Sequence, residues 1–435
     1  MSEPVRDRAI RSLPTAQVRH GRLRRSAAWK TLLAVVGGLM AVVLVSGASV
    51  AAISVWQFNN NINYVDLESI AGEPARELPT VGEWEGGFNV LLVGIDNDEG
   101  QHDAAARGGA TLNDVNILVH VAEDQQSAVA VSFPRDLVVP IPSCPDPDGE
   151  GASYAMSAQP INVAYSYGGL NCVRLTVEAL TGLEVPYAGT ISFSGVARMS
   201  SAVGGVDVCV DGPINDRYTG LEFPEAGTYT VEGQEALAFL RSRHGVGDGS
   251  DLGRISSQQV YLSSLIRKVQ NEGVLSDPVS LYGLAQVTTR SMQLSSSLTP
   301  DTMVAMALAL RDIPTENIVF VQYPTRYGTA EPYLGKVQPV TSLANELFAQ
   351  IKADKPFRLD DDSTGVGSTL DNPNAPEGEA EPTPEETEPA VPKVGKHDPE
   401  PEPTETAEPV PADDPDVVSG VEGQRADQYT CSVAN

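Results

Sequence analysis

Charged side chains stand at the ends of apolar runs that are typical of β-strands. Asp96 and Arg135 each follow such a run, and Asp114 directly precedes one. Ligands often bind where the strands of an α/β sheet end. Carboxylates there can hold a divalent cation, and a guanidinium group can bind a phosphate. Strand caps and surface ion pairs would explain any one of these residues taken alone.

A second charged group follows later in the chain. Arg241 and Arg243 are two residues apart, so an extended segment would point both side chains the same way. Arg254 and Gln258 are four apart, on one face of a predicted helix, and Asp251 lies just before them. Two converging guanidinium groups form a fork that suits the oxygens of a pyrophosphate, and nearby Asp carboxylates can hold Mg²⁺ on those oxygens.

The sequence lacks the motifs of common nucleophilic and nucleotide-dependent enzymes. It contains no GxSxG elbow, no HExxH and no GxxxxGK loop. Its five histidines are scattered along the chain. We therefore expect neither a catalytic triad nor a histidine-rich metal site.

Strand-like and helix-like segments alternate in the part of the chain that must position these groups. The predicted strands are 88–95, 115–121, 128–133 and 318–323, and the predicted helices are 173–180, 232–240, 254–269, 300–310 and 341–351. No Pro-rich or low-complexity break divides residues 85–355. We predict one α/β domain there, with a mixed central sheet between layers of helices.

Residues 31–55 carry no charge and are almost wholly apolar or small. As a helix they would cover about 37 Å, which exceeds the bilayer core of about 30 Å. Residues 1–30 hold eight Lys or Arg against Glu3 and Asp7, which predicts a basic cytoplasmic N-terminus. We predict a single-pass cell-membrane anchor with the remaining chain extracellular. A signal peptide cleaved near residues 49–51 is the alternative.

Composition predicts little structure on either side of the domain. Residues 56–84 are interpreted as a stalk, with a short turn of structure near residues 66–70. Residues 356–435 hold 20 Asp or Glu, four Lys or Arg and 13 Pro, which predicts a disordered acidic tail. No segment outside the cytoplasmic tail is basic, so we expect no nucleic-acid partner.

The four cysteines all lie on the predicted outer side, where thiols oxidise. Three pairings of Cys144, Cys172, Cys209 and Cys431 are possible. Joining Cys144 to Cys172 closes a short loop and leaves Cys209 for Cys431, which would tie the chain end to the domain. A free thiol at Cys431 is the alternative.

Six motifs together resemble the LytR-CpsA-Psr family of cell-envelope ligases. They occur in the family's order and span most of the predicted domain. The motifs are FNVLLVGID at 88–96, LNDVNILVHV at 112–121, VSFPRD at 131–136, INVAYSYGG at 161–169, GTYTVEGQEALAFLRSR at 227–243 and DLGRISSQQ at 251–259. A chain of six motifs is far more specific than any one of them.

The resemblance implies an αβα domain that transfers a glycopolymer from undecaprenyl pyrophosphate to peptidoglycan through a phosphodiester. It implies that Asp96 and Asp114 hold Mg²⁺, or Mn²⁺ in its place, and act with the arginines in catalysis. The implied pyrophosphate-binding residues are Arg135, Arg241, Arg243, Arg254 and Gln258, with Asp251 in a supporting role. An incoming sugar hydroxyl must lose a proton, for which Asp114 or Asp96 is the candidate.

The chain departs from the family pattern at three positions. Leu112 and Ser257 stand where a typical member has Arg, and Pro160 stands where it has Lys. The site therefore has fewer positive charges than the common pattern, which puts its phosphate affinity and polymer preference in question.

Two other functions fit the same residues. A hydrolase would release phosphate from the lipid pyrophosphate, with water in place of the sugar. A surface-exposed regulatory protein would bind polyprenyl phosphates without turning them over. Retention of both acids beside the arginines favours catalysis, because a binding protein would need only the arginines. The residues between 262 and 310 are apolar enough to line a lipid cavity or an ordinary core.

Overall fold

The computed structural model describes residues 29–30, 32–42, 45–46, 63–67, 86–96, 111–147, 151–271, 284, 287–289, 291–360, 362–371 and 416–435. The chain divides into two compact units, residues 1–60 and 61–435. In the first unit, residues 32–42 are helical. None of the helices within these described ranges is both long and apolar enough to cross a membrane. The predicted cytoplasmic tail and much of the predicted span of residues 31–55 lie outside the described residues.

Twenty strands and six α-helices of the second unit have defined bounds, and residues 287–289 are also helical. The strands are β1 Asn63–Val65, β2 Phe88–Ile95, β3 Asn113–Val121, β4 Ala128–Phe133, β5 Val138–Ile141, β6 Met156–Pro160, β7 Tyr187–Ser192, β8 Val206–Val210, β9 Ile214–Asp216, β10 Leu221–Phe223, β11 Gly227–Val231, β12 Met292–Ser295, β13 Ile318–Gln322, β14 Thr325–Tyr327, β15 Val337–Pro339, β16 Phe357–Leu359, β17 Ser368–Leu370, β18 Asp416–Val418, β19 Gly423–Arg425 and β20 Thr430–Ser432. The helices are α1 Ala164–Thr181, α2 Phe193–Ala202, α3 Gly233–Arg241, α4 Asp251–Asn271, α5 Pro300–Asp312 and α6 Thr341–Lys352, with 3₁₀ turns at Ile161–Val163 and Thr315–Asn317.

An eight-stranded mixed sheet forms the centre of this unit. Its order is β1-β12-β7-β2-β3-β4-β13-β19. The β2–β3 and β3–β4 pairs are antiparallel, whereas β2–β7 and β4–β13 are parallel. The predicted mixed α/β domain is therefore confirmed, and each predicted strand and helix coincides with an observed one to within a few residues, except that α1 begins nine residues before the predicted residue 173.

The two faces of the sheet have different coverings. On one face, apolar side chains of β2, β3 and β4 pack against α1 and α6 in a continuous core that includes Leu91, Leu118 and Val131. Leu92 and Ile117 point to the other face, where side chains of α2, α3 and α4 surround a cavity. Successive residues of a strand point to opposite faces, so one strand can serve both the core and the cavity.

The C-terminal segments are folded into the domain. Strand β19 forms an edge of the main sheet beside β13, and β20 lies between β8 and β17 in a second sheet of four strands. The predicted disordered tail of residues 356–435 is therefore wrong for residues 357–360, 362–371 and 416–435. The prediction used the average composition of the whole tail, which is acidic and rich in Pro. Short segments within the tail have apolar side chains that are buried, among them Val418, Val421 and Cys431. The acidic, Pro-rich residues 372–415 lie outside the described residues.

The predicted stalk is also wrong in part. Strand β1, from Asn63 to Val65, pairs in parallel with β12 and so belongs to the main sheet. Of the expected turn near residues 66–70, residues 66–67 show no regular structure and residues 68–70 are not among those described. A strand of three residues is too short for its periodicity to be recognised in the sequence.

Two disulfides join Cys144 to Cys172 and Cys209 to Cys431, which confirms the favoured pairing. Strand register explains the second one, because Cys431 of β20 lies directly beside Cys209 of β8. This bond fastens β20 to the domain and closes a loop with a sequence separation of 222 residues.

Replacing Cys209 and Cys431 by Ser should lower the free energy of unfolding by about 2–5 kcal/mol, because the cross-link restricts the unfolded chain. Urea denaturation with and without reductant would measure this. Reductant should lower the free energy of unfolding of wild type by at least as much as the double substitution lowers it in the absence of reductant. An unchanged denaturation midpoint in the variant would contradict the structural role of this bond.

Candidate functional site

A β-bulge places Asp114 at the end of the sheet. Gly94 of β2 pairs with Val115 of β3, but Ile95 pairs with Asn113, so Asp114 has no partner on β2. A bulge bends its strand and redirects a side chain, and bulges are common beside active sites.

The register of the next strand pair brings Arg135 to the same place. Asn116 pairs with Phe133, so the residues two positions beyond them on each chain approach each other. The Nη1 atom of Arg135 lies 3.1 Å from Oδ1 of Asp114. The two residues predicted from separate strand ends are therefore in direct contact.

Asp251, the first residue of α4, joins this pair to the helix. Its Oδ2 accepts a hydrogen bond from the backbone N–H of Arg135 at 3.2 Å, and its Oδ1 lies 2.8 Å from Nη2 of Arg254 and 3.4 Å from Nε of Arg135. The same Nη2 atom donates to the backbone oxygen of Asp114 at 2.7 Å. Asp251 therefore holds two arginines and has a more central position than its predicted supporting role implied.

Three buried polar atoms of this cluster lack a well-aligned hydrogen bond. They are Nε of Arg135, Nε of Arg254 and Oδ1 of Asp251. Buried donors with poor hydrogen-bond geometry are costly, and a phosphate oxygen would give the two guanidinium groups a better-aligned partner. The chain thus holds these two groups ready for an anion.

Arg243 adds a third guanidinium group to the cluster. Burial lowers its pKa, and the positive charges of Arg135 and Arg254 lower it further, against the opposing effects of Asp251 and Asp114. Burial also lowers the pKa of Arg135, but its carboxylate neighbours outweigh that effect and leave the pKa raised. Asp136 also pairs with Arg135 but is itself paired with Lys336, so four cationic groups face the carboxylates of Asp114, Asp136 and Asp251. This leaves an excess positive charge that an anion would neutralise.

Arg241 and Arg243 do not share one extended segment, so that part of the prediction is wrong. Arg241 is the last residue of α3, and Ser242 between them is the extended C-cap of the helix. The Arg241 guanidinium lies 4.2 Å over the ring of Phe193 and lines the cavity under the sheet, as does Gln258. Gln258 Nε2 donates to the backbone oxygen of Leu240 at 2.8 Å, which fixes α3 to α4.

The cavity has a volume of about 340 Å³ and an almost wholly apolar lining. Five lining residues come from the predicted region between 262 and 310; they are Leu262, Leu265, Ile266, Val269 and Leu284. Others come from β2, β3, β7, α2 and α3, which the sequence analysis did not identify. Gly94 and Val115 line it beside the bulge, so the cavity begins where the charged cluster ends.

The predicted metal ligands are Asp96 and Asp114. They come from adjacent strands, and Oδ1 of Asp96 accepts the Leu112 N–H at 2.8 Å. Mg²⁺ needs only one or two carboxylates together with waters and substrate phosphates, so these residue types fit it. In the described part of the chain, the one group of three possible metal ligands is Cys209, Asp371 and Cys431, whose two thiols already form a disulfide.

Ser257 explains one departure from the family pattern. It is fully buried, and its Oγ lies 3.5 Å from the backbone oxygen of Gly367 in the C-terminal segment. A Cβ on Gly367 would come within 2.1 Å of the Gly253 oxygen, so this segment packs directly on α4. An Arg at 257 would have no room here, because the segment occupies that space.

Two buried residues that position the site were missed in the sequence. Asn113 is fully buried and donates to Ile161 O and Asn116 Oδ1, which ties the bulge to the INVAYSYGG motif. Asp216 accepts hydrogen bonds from Ser242 Oγ at 2.8 Å and from the Arg243 backbone N–H at 3.2 Å. Asp216 lies outside the six motifs, and nothing in its local sequence indicates this long-range role.

Replacing Asp216 by Asn should cost about 1–3 kcal/mol of stability at neutral pH, because a carboxylate that accepts several hydrogen bonds is lost. Burial alone would raise the pKa of Asp216, but hydrogen bonds from Ser242, Tyr218 and Arg243 outweigh burial and lower it. The carboxylate therefore stabilises the fold above its unfolded pKa of about 3.9 and loses that effect as the pH falls through the folded value. Urea denaturation at pH 7 and pH 3 should show a smaller difference between variant and wild type at pH 3. An equal difference at both values would contradict this.

Comparisons with known proteins agree with this architecture. The LytR-CpsA-Psr family model (LytR_cpsA_psr) matches residues 57–350. A cell wall biosynthesis protein, LcpA of Corynebacterium glutamicum, is 29% identical over 265 residues, which cover 55% of this chain and 50% of LcpA. The chain thus spans only half the length of that relative. TagT of Bacillus subtilis, a polyisoprenyl-teichoic acid–peptidoglycan teichoic acid transferase, is 29% identical over 262 residues, which cover 58% of this chain and 74% of TagT.

A solved structure shares the fold. Protein gbs0355 of Streptococcus agalactiae superimposes with a TM-score of 0.51 at 22% identity, covering 62% of this chain and 88% of gbs0355. The family match extends over more than half of the chain and includes the strands and helices on which the residues of the charged cluster lie. The chain belongs to the LytR-CpsA-Psr family.

Proposed function

We propose that this protein transfers a glycopolymer from undecaprenyl pyrophosphate to a hydroxyl group of peptidoglycan, forming a phosphodiester. One observation carries the proposal: Arg135 and Arg254, each with a buried Nε that lacks a well-aligned hydrogen bond, contact Asp114, whose neighbour Val115 lines the apolar cavity. A lipid pyrophosphate has the matching form, with an apolar chain joined to an anionic head. The names of the relatives LcpA and TagT, a cell wall biosynthesis protein and a teichoic acid transferase, support the same activity.

The cavity suits the lipid part of such a donor. Each methylene group moved from water into an apolar site contributes about 0.8 kcal/mol to binding. Arg241 and Gln258 are among the few polar side chains in the lining. The donor would therefore bind with its isoprenoid chain among the leucines and its pyrophosphate toward the arginines.

The cluster suits the chemistry of phosphoryl transfer. The hydroxyl oxygen of the acceptor forms a bond to the phosphorus that carries the glycopolymer, while the bond from that phosphorus to the bridging oxygen breaks and undecaprenyl phosphate leaves. Arg135, Arg243 and Arg254 neutralise charge on the phosphate oxygens, so no covalent nucleophile on the protein is required. Asp114 or Asp96 accepts the proton of the hydroxyl group.

Asp96 and Asp114 would hold Mg²⁺, or Mn²⁺ in its place. When bound there, the cation adds positive charge beside the pyrophosphate oxygens. The helix proposed for residues 31–55 would keep the domain on the outer face of the cell membrane, with the N-terminus in the cytoplasm. Confinement of enzyme and lipid donor to one bilayer raises their effective concentration.

Arg243→Ala should reduce transfer by about 10²-fold or more, because charge stabilisation in the transition state is lost. The full chain in detergent would be incubated with a lipid pyrophosphate glycan and a peptidoglycan fragment, with Mg²⁺ or with a chelator, and the conjugate quantified. Arg217→Ala, which alters an exposed arginine outside the site, should leave transfer unchanged. Undiminished conjugate in Arg243→Ala would refute the proposed site. Free phosphorylated glycan without conjugate would identify a hydrolase, and undiminished transfer in chelator would refute the metal.

Leu265→Gln should raise KM for a long-chain donor by about tenfold, because a polar group then faces the lipid in the cavity. The KM for an analogue with a short isoprenoid chain should change little, since that chain does not fill the cavity. Leu334→Gln, at an exposed position outside the cavity, is the matched control. Equal effects of Leu265→Gln on both donors would show that the cavity does not hold the chain.

A further inference from the structure

A polar surface, called the recess below, lies at the end of β13, whereas the apolar cavity lies under β7, β2 and β3. We define the recess by Asp248, Ser250, Gln322, Tyr327 and Glu422. It also lies beside β19. Asp248 and Tyr327 are exposed and Glu422 is half-buried, so the recess is open to solvent.

Contacts within the recess hold its polar groups in fixed positions. The Tyr327 hydroxyl donates to Oδ2 of Asp248 at 3.3 Å, and Gln322 Nε2 donates to Oε2 of Glu422 at 3.0 Å. The backbone N–H of Gln322 also donates to the backbone oxygen of Glu422 at 2.8 Å. Burial and the charge of Asp248 raise the pKa of Glu422 against the effect of the bond from Gln322.

Gln322 supplies an independent sign of a missing partner. Its side chain is 5% exposed, and its Oε1 atom is buried with no hydrogen-bond partner. The Nε2 atom of the same amide donates to Glu422, so the amide that carries Oε1 is a direct neighbour of that carboxylate. A buried acceptor without a partner is costly, and a hydroxyl or amide N–H from a ligand would satisfy it after a small movement of the amide.

The recess adjoins the phosphate-binding cluster through the chain itself. Asp248 lies three residues before Asp251, and Gln322 pairs with Ser132, three residues before Arg135. Tyr327 lies on a hairpin whose second strand contains Val337. The Val337 backbone N–H donates to the backbone oxygen of Asp136, the residue after Arg135, and so fixes the hairpin beside the cluster. A molecule bound in the recess would therefore lie next to the pyrophosphate.

We propose that this recess binds the uncharged, hydroxyl-rich sugar part of the acceptor glycan and presents its hydroxyl group to the arginine cluster. The inference rests on the proposed transfer function. Carboxylate and amide oxygens accept bonds from sugar hydroxyls, and the tyrosine and serine hydroxyls can donate or accept. Two carboxylates repel phosphate, which keeps the anionic donor polymer on the arginine side.

Glu422 belongs to the C-terminal segment, outside residues 57–350, the part of the chain that the family model matches. Its position depends on the C-terminal segment: a Cβ on Gly365 would come within 3.1 Å of Glu422 Oε2, and Gly423 pairs with Val321 of β13. Acceptor choice in this protein would thus be set partly by residues outside the matched region.

Direct binding of an uncharged sugar tests the recess separately from catalysis. The full chain in detergent would be titrated calorimetrically with a tetramer of β-1,4-linked N-acetylglucosamine, which represents the acceptor strand. Glu422→Gln should weaken binding by about tenfold, because a bond to a charged acceptor is lost, and Tyr327→Phe by a smaller factor. The matched controls Glu316→Gln, just before β13 at its other end, and Tyr218→Phe, at an exposed tyrosine elsewhere, should bind as wild type does.

Arg243→Ala separates the two proposals. It should lose transfer yet bind the tetramer with unchanged affinity, because the sugar does not need the arginines. Wild-type affinity in both Glu422→Gln and Tyr327→Phe, or no tetramer binding by wild type, would overturn the recess while leaving the transfer proposal intact. Absence of conjugate with wild type would instead overturn the transfer function, and undiminished transfer by Arg243→Ala would overturn its arginine site.

Discussion

The site depends on the position of one carboxylate between the buried guanidinium group of Arg254 and the partly buried one of Arg135. Asp251 contacts Arg135 and Arg254, and Arg254 in turn contacts the backbone of Asp114. Removing one member of a buried ion pair typically costs about 3–5 kcal/mol, because the remaining charge is left uncompensated. The first turn of α4 and the ends of β3 and β4 are therefore held together by the same charges that an anionic substrate would use.

Helix α4 must be placed accurately for this contact to exist, and its neighbours fix it from several sides. Gln258 bonds to Leu240 at the end of α3, and the fully buried Gln424 donates to Gln259 O and Ser263 Oγ from the C-terminal segment. The disulfide between Cys209 and Cys431 fastens that segment. A segment that composition predicts to be disordered thus supports the helix that carries the site.

Local charge in this protein is opposite to its overall charge. The chain has a formal net charge of −29, yet Arg135, Arg243 and Arg254 create a positive site at one end of the sheet. Burial strengthens this local field, because water screens buried charges less than exposed ones. The carboxylates of Asp248 and Glu422 lie in the recess at the end of β13, so an anion and an uncharged sugar would meet opposite electrostatic surroundings a few residues apart.

The sequence by itself determined the central strands, most helices and several of the charged residues that meet at the end of the sheet. Apolar periodicity and motif order are local properties, which do not depend on where distant segments lie. The antiparallel register of β3 and β4 brings Asp114 close to Arg135. The first turn of α4 then adds Asp251 and Arg254 to this pair.

Only the tertiary structure decided what depends on contacts between distant segments. The bulge at Asp114, the support of Arg243 by Asp216 and the folding of the C-terminal strands involve partners that local patterns do not identify. Tertiary structure also decided that Arg241 and Arg243 point to different places. The helix ends at Arg241, one residue later than predicted, and this directs the Arg241 side chain to the cavity. Short strands carry little periodicity, and their stability comes from the neighbours that they meet only in the folded domain.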